Sequence, residues 1–132
     1  MWFVFSKRSK KNLEGVNKDL VKVLERALKI SPADFGIIEG VRTMEQQAKN
    51  VQKGVSKTLY SRHITGHAVD ILPTAIKPGC HWDIKYFMPV LKAIKQAGDD
   101  LGVPLRFGIN WKSDPTLPSA TKFIDAPHVE LQ

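Results

Sequence analysis

The chain is 132 residues long, enough for one domain of ordinary size and too short for two. Its 42% hydrophobic and 25% charged content is that of a globular protein, and a lone cysteine, Cys80, excludes an intramolecular disulfide and a multi-cysteine zinc knuckle. Twenty basic against thirteen acidic residues give +7, a field that attracts polyanions such as nucleic acid, anionic head groups or acidic wall polymers.

The start, MWFVFSKRSKK, places apolar residues before basic ones, the reverse of a secretory leader. Five apolar residues are also fewer than the roughly 7–15 of a leader core. The stretch is expected to be a first strand or an N-terminal segment packed on the domain, in a protein folded in the cytoplasm without its own export signal. No aromatic interleaves Lys7, Arg8, Lys10 and Lys11, so nothing there suggests base stacking.

Leu13, Val16, Leu20, Val23, Leu24, Ala27 and Leu28 follow at steps of three and four, the stripe of a core-facing helix with a break near Gly15. Ser31 to Asp34, SPAD, stops it. FGIIEGV (35–41) reads as a strand. RTMEQQAKNVQKG reads as a helix capped by Thr43, with Gln46 placed as in a capping box and Gly54 at the end. AVDILP (68–73) is a second strand.

WDIKYFMPVLKAIKQAGDDLG puts Ile84, Phe87, Met88, Leu91, Ile94 and Leu101 on one helical face, with Pro89 either kinking the helix or lying in its first turn. PLRFGI (104–109) and PHVEL (127–131) are short strands flanking an irregular stretch, 110–124, that contains Pro115 and Pro118. Helices come first and strands then alternate with helices. The fold class expected is α+β, a small, mostly antiparallel sheet packed on helices in one domain over 1–132.

The stretch SRHITGHAVD (61–70) carries the densest chemistry. His63 and His67 have the spacing of a helical H-E-x-x-H zinc site, but Ile64 stands where that motif needs its glutamate, and Gly66 argues against a helix. A loop turning at Gly66 into a strand bearing Asp70 instead offers two ligands, His63 and Asp70. A catalytic zinc takes three protein ligands and keeps one open position. His128 in DAPHVEL can be the third, leaving Asp125 as general acid and base for a water whose pKa zinc lowers from ~15.7 toward ~7. Arg42 suits a substrate carboxylate or a developing oxyanion. From spacing alone, a polar turn with surface histidines and a buried aspartate is the competing reading.

Ser61, His63, Gly66, Ala68 and Asp70, followed by Asp125 and His128, fill the pattern S-x-H-x-x-G-x-A-x-D … [DE]-x-x-H. The chain thereby resembles the zinc D,D- and L,D-type peptidases of bacterial cell walls, with the fold of the Hedgehog and D,D-peptidase group. GVRT around Arg42, LRFG at 105–108 and HVEL at 128–131 extend the likeness over nearly the whole chain. Asp125 and Pro127 stand where carboxypeptidase members carry glutamate and tryptophan, which favours the phage endolysins that act as L-alanyl-D-glutamate endopeptidases.

The resemblance implies one catalytic Zn2+ on His63, Asp70 and His128, Asp125 as general base, Arg42 assisting the substrate or transition state, and Ser61 lining the cleft. Trp111 is expected either to contact substrate or to pack; Asn110 before it replaces a common aspartate, so no charged role is assigned there. His67 is expected not to ligate, His81 to lie at the surface and Cys80 to be a passive thiol. Glu130 shares a strand face with His128, which would let it orient a ligand, but a structural role is the favoured expectation.

The substrate implied is the peptidoglycan stem peptide, reached from the host cytoplasm after a partner permeabilises the membrane. Charge attraction to the anionic envelope is expected to help, with the chain acting as a monomer without a separate wall-binding domain. Two rivals remain, a D-alanyl-D-alanine carboxypeptidase and a non-enzymatic basic module binding nucleic acid.

Overall fold

The computed structural model describes residues 3–54, 61–76, 83–122 and 124–132. The expectations for Cys80 and His81 fall outside the described residues. In chain order the elements are α1 (Lys7–Asn12), α2 (Lys18–Ile30), β1 (Phe35–Glu39), α3 (Met44–Gln52), β2 (Ala68–Pro73), α4 (Ile84–Leu101), β3 (Leu105–Phe107) and β4 (His128–Leu131). Four strands form one antiparallel sheet in the order β1-β2-β4-β3, so the α+β reading holds. No helix among the described residues is long and apolar enough to cross a membrane.

The helical stripe at the N-terminal end divides at Gly15 into α1 and α2, and Asn17 caps α2 by accepting from the Asp19 N–H at 2.9 Å. Leu20, Val23, Leu24, Ala27 and Leu28 of α2 pack with Phe87, Val90, Leu91, Ile94 and Ala97 of α4 in one core. Thr43 caps α3 by accepting from the Gln46 N–H. Pro89 lies in the second turn of α4, not the first, so no N–H is present there for the Lys85 carbonyl.

Residues 3–6 form no strand. Phe5 packs this segment on the core, edge-on to Phe35 at 5.7 Å, and Ser6 caps α1, while Phe3 and Val4 stay exposed. The edge of the sheet they would have extended is covered by α1. Ile37 at that edge donates its N–H to Ser9 Oγ at 3.0 Å and its carbonyl accepts from Asn12 Nδ2 at 2.7 Å, leaving no template for a fifth strand. β3 is shorter than its sequence pattern, because the chain turns at Gly108 to Trp111 and returns through a bridge between Phe107 and Lys112.

Register decides what the sheet presents. Phe35, Ile37, Val69, Ile71, Phe107, Val129 and Leu131 belong to the core shared with the helices. Side chains alternate along a strand, so the opposite face carries Asp70, His128, Glu130 and Arg106, with Asp70 paired to His128 and Arg106 to Glu130. A bulge between Ile37 and Glu39 breaks the alternation of β1: Ile37 pairs with Ile71 on the core side, whereas Glu39 pairs with Asp70.

Candidate metal and catalytic centre

His63 reaches the open face of the sheet from the loop between α3 and β2. Ser61 starts a turn there, its Oγ accepting from the His63 N–H at 3.2 Å and its carbonyl from the Ile64 N–H at 3.1 Å. The turn ends at Gly66, with φ +77°, where a Cβ would stand 2.6 Å from the Gly15 carbonyl oxygen. Only glycine fits both constraints. The Gly66 carbonyl in turn accepts from the Asn17 N–H at 2.8 Å, seating the loop on the start of α2.

The loop brings His63 against residues that follow it by 7 and 65 positions in the chain. His63 Nε2 lies 3.2 Å from His128 Nδ1 and 3.2 Å from Asp70 Oδ1; His128 Nδ1 lies 3.5 Å from the same Oδ1. Bonds of roughly 2.0–2.1 Å to a tetrahedral ion put neighbouring ligand atoms about 3.3–3.4 Å apart, so this triangle has the size of one face of such a polyhedron. Asp70 Oδ1 is buried and receives no hydrogen bond. An acceptor in that state costs folding energy unless a cation takes the place of the missing donor. The group fits a metal ion, and it is the only such cluster of His, Cys, Asp or Glu among the described residues.

The far side of each imidazole is held. Nδ1–H of His63 donates to the Gly40 carbonyl at 2.9 Å, which turns Nε2 toward the triangle. Gly40 must be glycine for this, because a Cβ there would lie 1.9 Å from the Asn12 carbonyl oxygen. Nε2 of His128 faces Glu130 Oε1 at 2.8 Å, which leaves Nδ1 for the triangle.

Charge in the cluster follows from these neighbours. Burial opposes ionisation of Asp70, but His128 and His63 outweigh it and hold the carboxyl well below the usual range. Burial likewise works against the His128 cation, yet Asp70 and Glu130 push its pKa up to about 9. A metal must therefore displace a proton from that ring at neutral pH. Asp125 behaves oppositely: burial first, and the Asp70 charge second, push its carboxyl up to about 6 against the pull of His128, His63 and Arg42. It is half-buried at the mouth of β4, with its N–H donating to the Gly108 carbonyl and its own carbonyl accepting from the His128 N–H. A carboxyl poised near neutrality beside a metal-sized triangle can accept and return protons.

Arg42 is buried, with Nε 2.6 Å from Glu39 Oε1, Nη1 donating to Gln47 Oε1 and Nη2 3.8 Å from Asp70 Oδ2. Burial disfavours its charge, and Glu39 more than offsets that. Glu39 and Gln47 are the residues that sequence reasoning missed. The bulge that turns Glu39 to this face has no sequence mark, but Gln47 had one: it occupies the buried, inward position of α3, where a hydrophobic residue belongs.

The Trp111 ring is tilted against His128, ring centroids 5.4 Å apart, and the Arg106 guanidinium lies over the indole at 5.1 Å from its centroid. Its φ of 59° is the left-handed value that non-glycine residues rarely adopt. Asn110 before it is buried and organises the loop, donating to the Asp114 and Leu117 carbonyls and accepting from the Lys112 N–H. These roles need an amide, which both donates and accepts. His67 stands apart from the triangle, its Nδ1 2.6 Å from Thr65 Oγ1.

Comparison with known proteins agrees with this geometry. The family described as phage L-alanyl-D-glutamate peptidase matches residues 1–132. The L-alanyl-D-glutamate peptidase of Escherichia phage T5 is 42% identical over 137 residues, with 99% of each chain covered. The crystal structure of the Serratia marcescens L-Ala D-Glu endopeptidase ChiX superposes with a TM-score of 0.80 at 35% identity, covering 98% of this chain and 90% of that one.

Proposed function

The chain belongs to the phage L-alanyl-D-glutamate peptidase family, and from that premise we propose that it is a zinc enzyme cutting the L-alanyl-D-glutamate bond of peptidoglycan stem peptides during host lysis. The observation that carries this reading is the triangle of His63 Nε2, Asp70 Oδ1 and His128 Nδ1 with the raised carboxyl of Asp125 beside it. Two imidazoles and one carboxylate are a donor set suited to zinc.

Zinc held there supplies a Lewis acid for the scissile carbonyl and a water that is nucleophilic near neutral pH. Asp125, ionised, takes the proton of the attacking water and returns it to the departing D-glutamate nitrogen. Arg42, kept charged by Glu39, stabilises the negative charge that develops on the carbonyl oxygen. Ser61 and Trp111 line the substrate cleft, Trp111 from the His128 side.

In this reading the 132 residues are one catalytic domain, active as a monomer. The protein is made in the host cytoplasm and reaches the wall once the membrane is permeabilised, drawn to the anionic envelope by its +7 charge.

Metal analysis together with end-group analysis of digested, defined peptidoglycan tests the proposal. Stoichiometric zinc is expected, with new amino termini on D-glutamate, and His63→Ala should lose both. Full zinc content and full wall lysis by His63→Ala would overturn the reading. Release of D-alanine with Ala–Glu bonds intact would assign a carboxypeptidase instead, and salt-dependent DNA binding without zinc a nucleic-acid module.

A further inference from the structure

Glu130 is a buried carboxylate on β4 whose two oxygens face different partners. Oε1 lies 2.8 Å from His128 Nε2; Oε2 lies 3.1 Å from Arg62 Nε and 3.8 Å from Arg106 Nη1. Burying a carboxylate is costly unless it is fully partnered, and the strand pairing at this position would be served equally by an uncharged residue.

We propose that Glu130 is a positioning residue for metal capture, which fixes His128 with Nδ1 turned to the ion and, through Arg62, ties the loop of the first ligand to the strand of the last. This rests on the reading of the triangle as a zinc site.

A neutral imidazole carries one N–H, and the nitrogen that bears it cannot ligate. A carboxylate only accepts, so beside Glu130 the proton stays on Nε2 and the Nδ1 lone pair is free for metal. Arginines only donate, so Arg62 and Arg106 hold Oε2 and keep the carboxylate from rotating off the ring. Arg62 immediately precedes His63, and its carbonyl accepts from the His67 N–H at 3.0 Å, so its grip on Glu130 is a grip on the whole loop. The two histidines are thus oriented by different means: His63 by a backbone carbonyl, His128 by a side chain that mutation can alter.

Glu130→Gln keeps the shape and changes the logic. Its oxygen must satisfy the arginines, which turns its NH2 toward His128 and favours the proton on Nδ1, the nitrogen the metal needs. Zinc affinity, measured by competition with a chromophoric chelator, is expected to fall roughly 10–100-fold. The visible spectrum of the cobalt(II)-loaded protein should shift, while Tm in EDTA stays close to wild type. A merely structural role would lower that Tm and leave metal affinity alone.

Zinc affinity within about twofold of wild type, with an unchanged cobalt spectrum, would overturn the proposal. Should Glu130→Gln not fold in EDTA, the double variant Arg62→Gln/Arg106→Gln, at half-exposed positions, decides: several-fold weaker zinc binding supports the proposal and wild-type binding overturns it. A wild-type protein that binds no zinc refutes the site reading itself, an outcome distinct from either.

Discussion

On the face of the sheet that meets α2 and α4, Ile37, Val69, Ile71, Phe107 and Val129 are almost completely buried against apolar neighbours. One residue along the same strands, the opposite face crowds Asp70, His128, Glu130 and Arg106 within hydrogen-bonding and ion-pairing range. The first face removes apolar surface from water and stabilises the fold. The second buries an acceptor without a donor and pushes the Asp125 carboxyl up, and both work against folding at neutral pH. Stability and chemistry are therefore separable by side-chain parity, and substitutions on the two faces should move Tm and turnover in different directions.

The sharpest separation is expected at Asp125. Replacing a general base removes about 10²–10⁴ in rate, so Asp125→Asn should lose nearly all peptide cleavage while retaining zinc. Its folded carboxyl titrates at about 6, above the ordinary 3.8, so ionisation is disfavoured by folding. That destabilisation is fully present above pH ~6 and fades as pH falls toward ~4. Asp125→Asn should accordingly raise the Tm of the metal-free protein at neutral pH. The wild-type rate should rise with pH along an acid limb whose midpoint lies at or below about 6, since a bound cation adds to the pull of His128, His63 and Arg42. Kinetics across pH and a thermal melt in EDTA check both; a variant that loses Tm along with activity breaks the contrast.

Phe107→Ala makes the converse change. The ring is fully buried on the apolar face and truncation leaves a cavity, so stability should fall by about 3–5 kcal/mol, read from denaturant unfolding. The fraction that remains folded should bind zinc and cleave peptide at close to the wild-type specific rate. Phe107 pairs with Val129, next to His128 on β4, so a large loss of zinc affinity would show that the two faces are coupled through the strand.

The apolar face was the legible one. Stripes at steps of three and four named all the buried positions of α2, but in α4 only Phe87, Leu91 and Ile94, while Ile84 and Leu101 at the two ends of that stripe are exposed. Alternation within AVDILP placed Val69 and Ile71 together. The ligands were legible for another reason: His63, Gly66 and Asp70 lie within one local loop-and-strand unit, so their spacing survives in the sequence. Long-range placement was not legible. β4 enters the sheet between β2 and β3, and a covered edge, with Ser9 and Asn12 on Ile37, takes the place of a strand at residues 3–6. The bulge that aims Glu39 at Arg42 leaves a sequence whose simple alternation points the wrong way. The i, i+2 spacing of His128 and Glu130 on one strand shows that they share a face, but nothing in the sequence shows the Arg62 and Arg106 partners that hold the carboxylate there.

The smallest expected effect concerns charge that belongs to neither face. Lys7, Arg8, Lys10 and Lys11 are exposed on α1, at the covered edge of the sheet and outside the ligand triangle. A charged surface raises the encounter rate with an oppositely charged target and leaves the bond-breaking step alone. Raising salt from about 0.1 M to about 1 M shortens the Debye length from about 10 Å to about 3 Å. Lysis of intact envelopes should then slow several-fold, while cleavage of a small, soluble stem peptide changes little. Parallel salt titrations on the two substrates separate the terms. Equal loss on both would place the salt sensitivity in the ion pairs around Arg42 and Glu130, and lysis that ignores salt would remove envelope attraction from the account of this protein.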